Sequence, residues 1–190
     1  MANVLRPDYP IKTDRLILRP FAEGDLDAMH AYQHLPEVAR YLMWPPRDLD
    51  QARTALDYRI AHPTIEKEGD VLVLAVEHQE TGALLGDVNL AWVSEWDKTG
   101  EFGFVFDPRY HGQGYAREAA VEMLRLGFER MGLHRIIGRA DARNDASAKL
   151  MGRLGLRKEA HFVKNGFVKG EWTDEVVFAM LAEEWPPAKP

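Results

Sequence analysis

The chain has 190 residues, 46% of them hydrophobic, with 24 Lys and Arg against 30 Asp and Glu and a formal net charge of −6; this fits one domain of ordinary size and argues against a general nucleic-acid binder, which carries a basic surface. No run of 18 apolar residues occurs, so neither a membrane span nor a membrane partner is expected. Cysteine is absent, which excludes disulfides and a cysteine nucleophile, and the charged residues Arg6, Asp8, Lys12, Asp14, Arg15 and Arg19 exclude a secretory signal near the start, so a cytoplasmic location is expected.

Residues 1–10 read as a loose N-terminal arm, 11–185 as a single domain and 186–190 as a tail in which prolines block regular structure. Ile11, Leu16 and Leu18 suggest a first strand. Residues 25–34 read as a helix, and Pro36 and Trp44-Pro45-Pro46 separate it from a second helix over 49–60. His30 and His34 lie at i, i+4 on the first helix, but position 31 is Ala, so a zinc-protease pattern fails and no metal site is expected. Residues 71–76 form a continuous apolar strand, which Thr81-Gly82 turns into a second strand over 84–92 as a hairpin. A strand over 101–106 precedes a helix over 114–131 with Ala116, Ala120, Met123, Leu124 and Phe128 on one face. A strand at 136–140, a helix at 145–154 and two last strands follow. This order gives a mixed sheet with at least one parallel strand–helix–strand crossover.

The richest stretch joins strand 101–106 to its helix through Asp107-Pro108-Arg109-Tyr110-His111-Gly112-Gln113-Gly114. Glycines allow a sharp turn and close approach of a ligand, and the helix start offers unpaired amides and positive dipole. Together these make a phosphate site. A dinucleotide fingerprint fails, because Arg117 stands where the third glycine belongs, and no Gly-Lys-Ser/Thr ends the loop as a P-loop needs.

What remains, His111-x-x-Gly114-x-Ala116, resembles the pyrophosphate loop of the GNAT-type N-acetyltransferases, usually Gln/Arg-x-x-Gly-x-Gly/Ala, with His111 departing at the first position. The resemblance extends to Thr13-Asp14-Arg15-Leu16 near the start, to Asn144-Asp145-Ala146-Ser147 and to Gly170-Glu171-Trp172-Thr173-Asp174 near the end, so it covers roughly residues 11 to 185. The Asn-x-x-Ser form is similar to the ribosomal-protein alanine and serine N-acetyltransferases. The resemblance implies an α/β (α+β) fold: a mixed, mostly antiparallel sheet of about six or seven strands flanked by about four helices, with the parallel crossover at the cofactor site. It implies acetyl-CoA as acetyl donor, with the pantetheine arm on the backbone of Phe104, Val105 and Phe106. The pyrophosphate falls on the loop of His111, Gly112, Gln113, Gly114, Tyr115, Ala116 and Arg117, with Asn144 orienting the coenzyme and Ser147 facing its sulfur. A homodimer is compatible with the family, although no interface is diagnostic.

Strand alternation puts Glu101, Gly103 and Val105 on one face. Glu101 is therefore a candidate catalytic base, or a strand-edge carboxylate paired with an arginine; Asp87, on the preceding strand, is a second candidate and an acceptor contact. Asn144 is equally a helix N-cap. Where many superfamily members carry a tyrosine acid this chain has Met151, so Ser147 is the candidate donor to the departing thiolate, whose pKa of about 8.5 makes the demand modest. Tyr41, Trp44, Trp92 and Trp96 are aromatic candidates for the acceptor cleft, or for plain core packing.

Freeing a lysine amine at pH 7 costs about 4.6 kcal/mol, against about 1 to 1.4 kcal/mol for an α-amine. A site without an evident strong base therefore suits α-amines, attacking the thioester directly with no acyl-enzyme. The expected function is acetyl transfer to a protein or peptide N-terminal amine. The alternatives are a small-molecule amine acceptor (aminosugar, polyamine or amino acid) and an acyl-CoA-binding sensor without turnover.

Overall fold

The computed structural model of the protein describes residues 3–185. Its elements run β1 (Ile11–Lys12), β2 (Leu16–Arg19), α1 (Leu26–Gln33), α2 (Pro36–Ala39), α3 (Leu49–Ala61), β3 (Val71–His78), β4 (Leu84–Ser94), β5 (Thr99–Phe106), α4 (Tyr115–Arg125), β6 (Arg135–Asp141), α5 (Asp145–Arg153), β7 (Arg157–Val168) and β8 (Glu171–Leu181). The eight strands form one sheet in the order β1-β2-β3-β4-β5-β6-β8-β7. Every neighbouring pair is antiparallel except β5 and β6, which are parallel. Parallel neighbours need a long crossover, and α4 supplies it.

Alternation along the strands divides the core in two. Val88, Leu90 and Trp92 of β4 and Phe102 and Phe106 of β5 pack with Ala119, Ala120, Met123 and Leu124 of α4 and Met151 of α5. On the other face Ala75 and Leu84 meet Met29 and Tyr32 of α1 and Ala52 and Leu56 of α3. The α3 helix starts with a reciprocal cap, in which the Gln51 amide donates to Asp48 Oδ1 (2.8 Å) and the Asp48 amide to Gln51 Oε1 (3.1 Å).

The outline anticipated from sequence stands, with particular differences. The sheet has eight strands rather than six or seven, because Thr13-Asp14 splits the first strand into the hairpin β1–β2. Among the described residues there are five α-helices rather than about four, because Pro36 begins the four-residue α2 instead of only breaking the chain; proline suits a first helical turn, where its missing N–H has no partner to lose. After Arg125 the helical path widens, with the Met131 amide bonding the Leu126 carbonyl at 3.0 Å. Residues 3–10 are not loose: Leu5 is buried at 1% exposure, bridges Ile65, and the Asn3 amide bonds the Met131 carbonyl at 2.8 Å. The expected tail at 186–190 lies outside the described residues. No helix among the described residues is long and apolar enough to cross a membrane.

One polar staple fastens the β1–β2 turn to the start of α4. Glu118 accepts from Thr13 Oγ1 (2.5 Å), from the Arg15 amide (2.9 Å) and from Arg15 Nε (2.8 Å). Burial pushes the Glu118 carboxyl up, but these donors outweigh it and hold the group below the usual glutamate range. Glu118→Ala is expected to lose about 1–3 kcal/mol of stability at pH 7. The folded group binds its proton less readily than the unfolded one. The wild-type advantage is therefore complete above about pH 4.3 and is lost as pH falls through the folded value. Urea unfolding at a series of pH values checks this; a difference between the two proteins that does not shrink in acid contradicts it.

Candidate active site

The parallel ladder between β5 and β6 is short. It pairs Thr99 with Arg135, Gly100 with Ile136 and Glu101 with Ile137, and then stops. Both strands go on, β5 held by β4 and β6 held by β8. From residue 102 onward β5 therefore presents a free main-chain edge inside the sheet. The wedge at the fork is visible at Gly138, where a Cβ would meet Met151 Sδ at 2.6 Å and the Phe102 ring at 2.8 Å. Beyond it opens a cleft of about 330 Å³ that reaches Gly103, Phe104 and Val105 on β5 and Asn144, Ser147 and Met151 at α5.

Past the end of β5 the glycine loop is exposed from residue 111 to 114. Gly112 and Gly114 have φ of 76° and 84°, a left-handed conformation that disfavours side chains. Nothing lies within 4 Å of a Cβ placed on Gly112. The first helical bond of α4 runs from the Glu118 amide to the Gly114 carbonyl (3.1 Å), so the amides of Tyr115, Ala116 and Arg117 have no helical partner. The His111 ring, by contrast, turns inward, with Nε2 at 3.0 Å as donor to the Phe106 carbonyl, and Arg15 Nη1 donates to the Gln113 carbonyl (3.0 Å). Side chains thus shape the loop, and the amides of residues 115–117 at the helix start are left without a helical partner. The loop residues do not line the cleft; they form an exposed shelf beyond it.

At the second helix mouth Asn144 Oδ1 accepts from the Ser147 amide (3.1 Å), so Asn144 is the N-cap of α5 and also borders the cleft. Met151 is buried at 1% exposure, a packing residue where a proton donor was sought.

The cleft floor on the α1/α3 face carries Asp87 and Asn89 of β4. Asp87 is buried at 1% exposure. It accepts the Tyr32 phenol at 2.6 Å and pairs with Arg59 Nη1 at 3.3 Å. Arg139 of β6 forms part of the wall and pairs with Glu101 (3.1 Å) and Glu175 (3.5 Å). Glu101 stands at the last paired position of the fork and does not line the cleft. Burial raises its carboxyl above the usual glutamate range, Arg139 pulling against the shift and Glu175 adding to it. At the rim stand Tyr41 and Trp44. There the β7–β8 turn is clasped to the α2–α3 connection: Lys169 Nζ donates to the Ala39 (2.6 Å) and Arg40 (3.0 Å) carbonyls. Arg143 bridges Asp141 (2.6 Å) and Glu171 (2.9 Å), its guanidinium 6.0 Å from the Tyr41 ring centre.

The structure thus brings together Asp87, Tyr41, Trp44, Phe104, Val105, Asn144 and Ser147 around one cleft. Two aromatic candidates fall elsewhere. Trp92 shares its parity with Val88 and Leu90, so it points into the α4 core at 3% exposure. Trp96 is 93% exposed in the β4–β5 turn, at the opposite end of β5. Phe106 is buried in the α4 core and also lies outside the cleft. Tyr32, Arg59, Asn89 and Arg139 were missed. Asn89 and Arg139 were legible from strand parity alone; the two helix residues needed the tertiary packing.

The chain's own geometry fits acetyl-CoA: unpartnered amides at an exposed glycine turn for a diphosphate, a free strand edge for an amide-bearing arm, and a cleft bordered by Ser147. Among the described residues no three His, Cys, Asp or Glu side chains converge as a metal site. The profile of the acetyltransferase (GNAT) domain matches residues 15–157. The uncharacterized N-acetyltransferase YnaD of Bacillus subtilis (strain 168) is 32% identical over 92% of this chain and 98% of its own length. The [ribosomal protein uS5]-alanine N-acetyltransferase of Escherichia coli (strain K12) is 25% identical over 96% of each chain. A crystal structure of a GNAT-family acetyltransferase from Bacillus anthracis superposes with a TM-score of 0.83 at 31% identity, covering 92% of this chain and 99% of that one.

Gly114→Val is expected to weaken acetyl-CoA binding about tenfold or more. It forces a β-branched residue into a left-handed turn at φ 84° and brings its Cβ to 3.4 Å from Arg15 Nη2, so the turn ahead of the α4 amides must shift. Calorimetric titration checks this, and an unchanged affinity contradicts the loop assignment.

Proposed function

The chain belongs to the GNAT acetyltransferase family and is an N-acetyltransferase, and from that premise we propose that it moves the acetyl group of acetyl-CoA onto the α-amine of a protein or peptide N terminus. The observation that carries the reading is the early parting of β5 from β6. It leaves an unpaired strand edge leading from the α4 start, where the amides of residues 115–117 lack helical partners, to a cleft bordered by Ser147 and Asp87. On this reading the backbone of Gly103, Phe104 and Val105 pairs with the pantetheine arm. The α4 amides hold the diphosphate, and the acceptor enters between Tyr41 and Trp44.

The acceptor nitrogen attacks the thioester carbonyl directly. A carbon–nitrogen bond forms, the carbon–sulfur bond breaks with its electron pair going to sulfur, and the Ser147 hydroxyl donates a hydrogen bond to the departing thiolate. The thiolate of an alkyl thiol needs little more, because its pKa of about 8.5 makes it a good leaving group near neutral pH. Ser147→Ala should therefore lower kcat only about tenfold, roughly 1.4 kcal/mol, with acetyl-CoA affinity retained.

Acceptor choice is supported by the cheapness of freeing an α-amine relative to a lysine and by the similarity to the uS5-alanine enzyme. Thiol release from acetyl-CoA, measured with Ala- and Ser-initiated peptides beside spermidine and an aminosugar, tests it. The peptides are expected to give the higher kcat/KM. Turnover confined to the small amines moves the acceptor to that class, and tight coenzyme binding without any turnover defeats the catalytic reading.

A further inference from the structure

Beside the cleft lies a second hollow of about 390 Å³, lined by α3, by Val73 of β3 and by Arg47 of the α2–α3 connection. The two cavities meet at Arg59 and Val73, which border both. Arg47 is half-buried. Among the described residues its side chain makes one hydrogen bond, from Nη1 to Gln33 Oε1 (2.8 Å), and pairs with no carboxylate. Its guanidinium stands 4.3 Å from the centre of the Trp44 ring, a stacking that leaves the edge of the fork free to donate.

The nearby carboxylates are already engaged. Asp87 accepts Tyr32 and pairs with Arg59 at 3.3 Å. Asp48, next along the chain, caps α3 through the Gln51 amide. Two guanidinium groups thus share one buried carboxylate, and a positive charge is left over in a partly desolvated hollow. Burial first, and then the Arg59 charge, push the Arg47 guanidinium down from its ordinary value against the pull of Asp87 and Tyr32; an arginine nonetheless stays cationic. Anchoring the α2–α3 connection does not require that charge, because the Arg47 amide already donates to the Gln33 carbonyl at 3.0 Å.

We propose that this hollow is a carboxylate subsite for the acceptor, in which Arg47, with Arg59 beside it, receives an acidic group carried close to the reacting amine. The inference rests on the peptide-acetylating function above and narrows it to acidic N termini. An extended chain advances about 3.3–3.6 Å per residue, and the cavities share a wall, so the acid belongs on the second or third residue. A guanidinium binds a carboxylate through two parallel N–H···O bonds, which gives direction as well as charge. A polyamine instead brings further cations to a hollow that already holds an unmatched one, and is disfavoured. The α-carboxylate of a free amino acid offers the same group nearer the nitrogen, and the test separates the two sources.

The amidated tripeptides Ala-Asp-Asp, Ala-Asn-Asn and Ala-Lys-Lys differ only in their side chains. Thiol release from acetyl-CoA gives kcat/KM for each, and alanine beside alaninamide forms the free α-carboxylate arm. Wild type is expected to favour Ala-Asp-Asp over Ala-Asn-Asn about tenfold or more, mainly through KM. In Arg47→Gln the ratio should fall to within about twofold of one, and Arg47→Glu should turn the preference toward Ala-Lys-Lys. A merely structural Arg47 would depress all three peptides alike and leave the ratios unmoved. Arg47→Lys keeps the charge without the fork and should give an intermediate ratio. Preference for alanine over alaninamide alone, lost in Arg47→Gln, supports the subsite and assigns it to free amino acids. The proposal is overturned if wild type prefers the carboxylate in neither arm, or if the preference survives Arg47→Gln. Wild type silent on every acceptor defeats the acetyl-transfer reading, a distinct result. The Asp and Asn peptides titrated into CoA-saturated protein then decide the subsite, with the same ratio expected in Kd.

Discussion

A sheet that fails to close at its centre governs this molecule. Three residue pairs join β5 to β6, and then each strand follows its other neighbour. Unpaired amides and carbonyls inside a protein are unfavourable unless something satisfies them, so a fork of this kind is a standing demand for a ligand with its own amides. The fork is not an accident of a poor ladder. Gly138, one residue past the last pair, leaves room for Met151 and the Phe102 ring just where the pairing stops. The parallel crossover through α4 then sets a helix start beyond the gap, and the two features address one elongated ligand from two directions.

Strand parity distributes the chemistry. On β4 odd-numbered Asp87 and Asn89 face the cleft, whereas Val88, Leu90 and Trp92 fill the α4 core. A shift of one residue in that strand would put Trp92 in the cleft and bury the carboxylate among leucines. The registers β3–β4 and β4–β5, each running most of the strand length, are therefore functional constraints as much as structural ones. The helices contribute differently. Tyr32 and Arg59 come from elements distant in sequence, and they meet Asp87 only because α1 and α3 pack on the same face of the sheet.

Much of the glycine loop was legible because its signal is local: glycines, a strand before and an amphipathic helix after. The α5 start was legible for the same reason, Asn144 being a cap whose side chain fixes the first turn. Trp92 takes the second of its two sequence readings, core packing, because alternation along β4 puts it on the face of Val88 and Leu90. Trp96 was misplaced because nothing in its composition distinguishes an exposed turn from a cleft rim. The loose arm was a wrong expectation for a tertiary reason, since Leu5 finds a pocket near Ile65 that no neighbour in sequence foretells. Tyr32 and Arg59 carried no local mark at all; their importance appears only once a buried carboxylate is seen to need partners.

The clasp at the acceptor rim has a different physical character from the coenzyme shelf. Arg143 and Glu171 are each at least half exposed, so their attraction is modest and dissolved salt weakens it further. The shelf relies on main-chain dipoles fixed by helix geometry, and the fork relies on packed side chains. Salt therefore reaches both ends of one channel: it weakens the exposed ion pair on the porch through which the acceptor passes, and it screens the helix-start dipole at the berth of the donor.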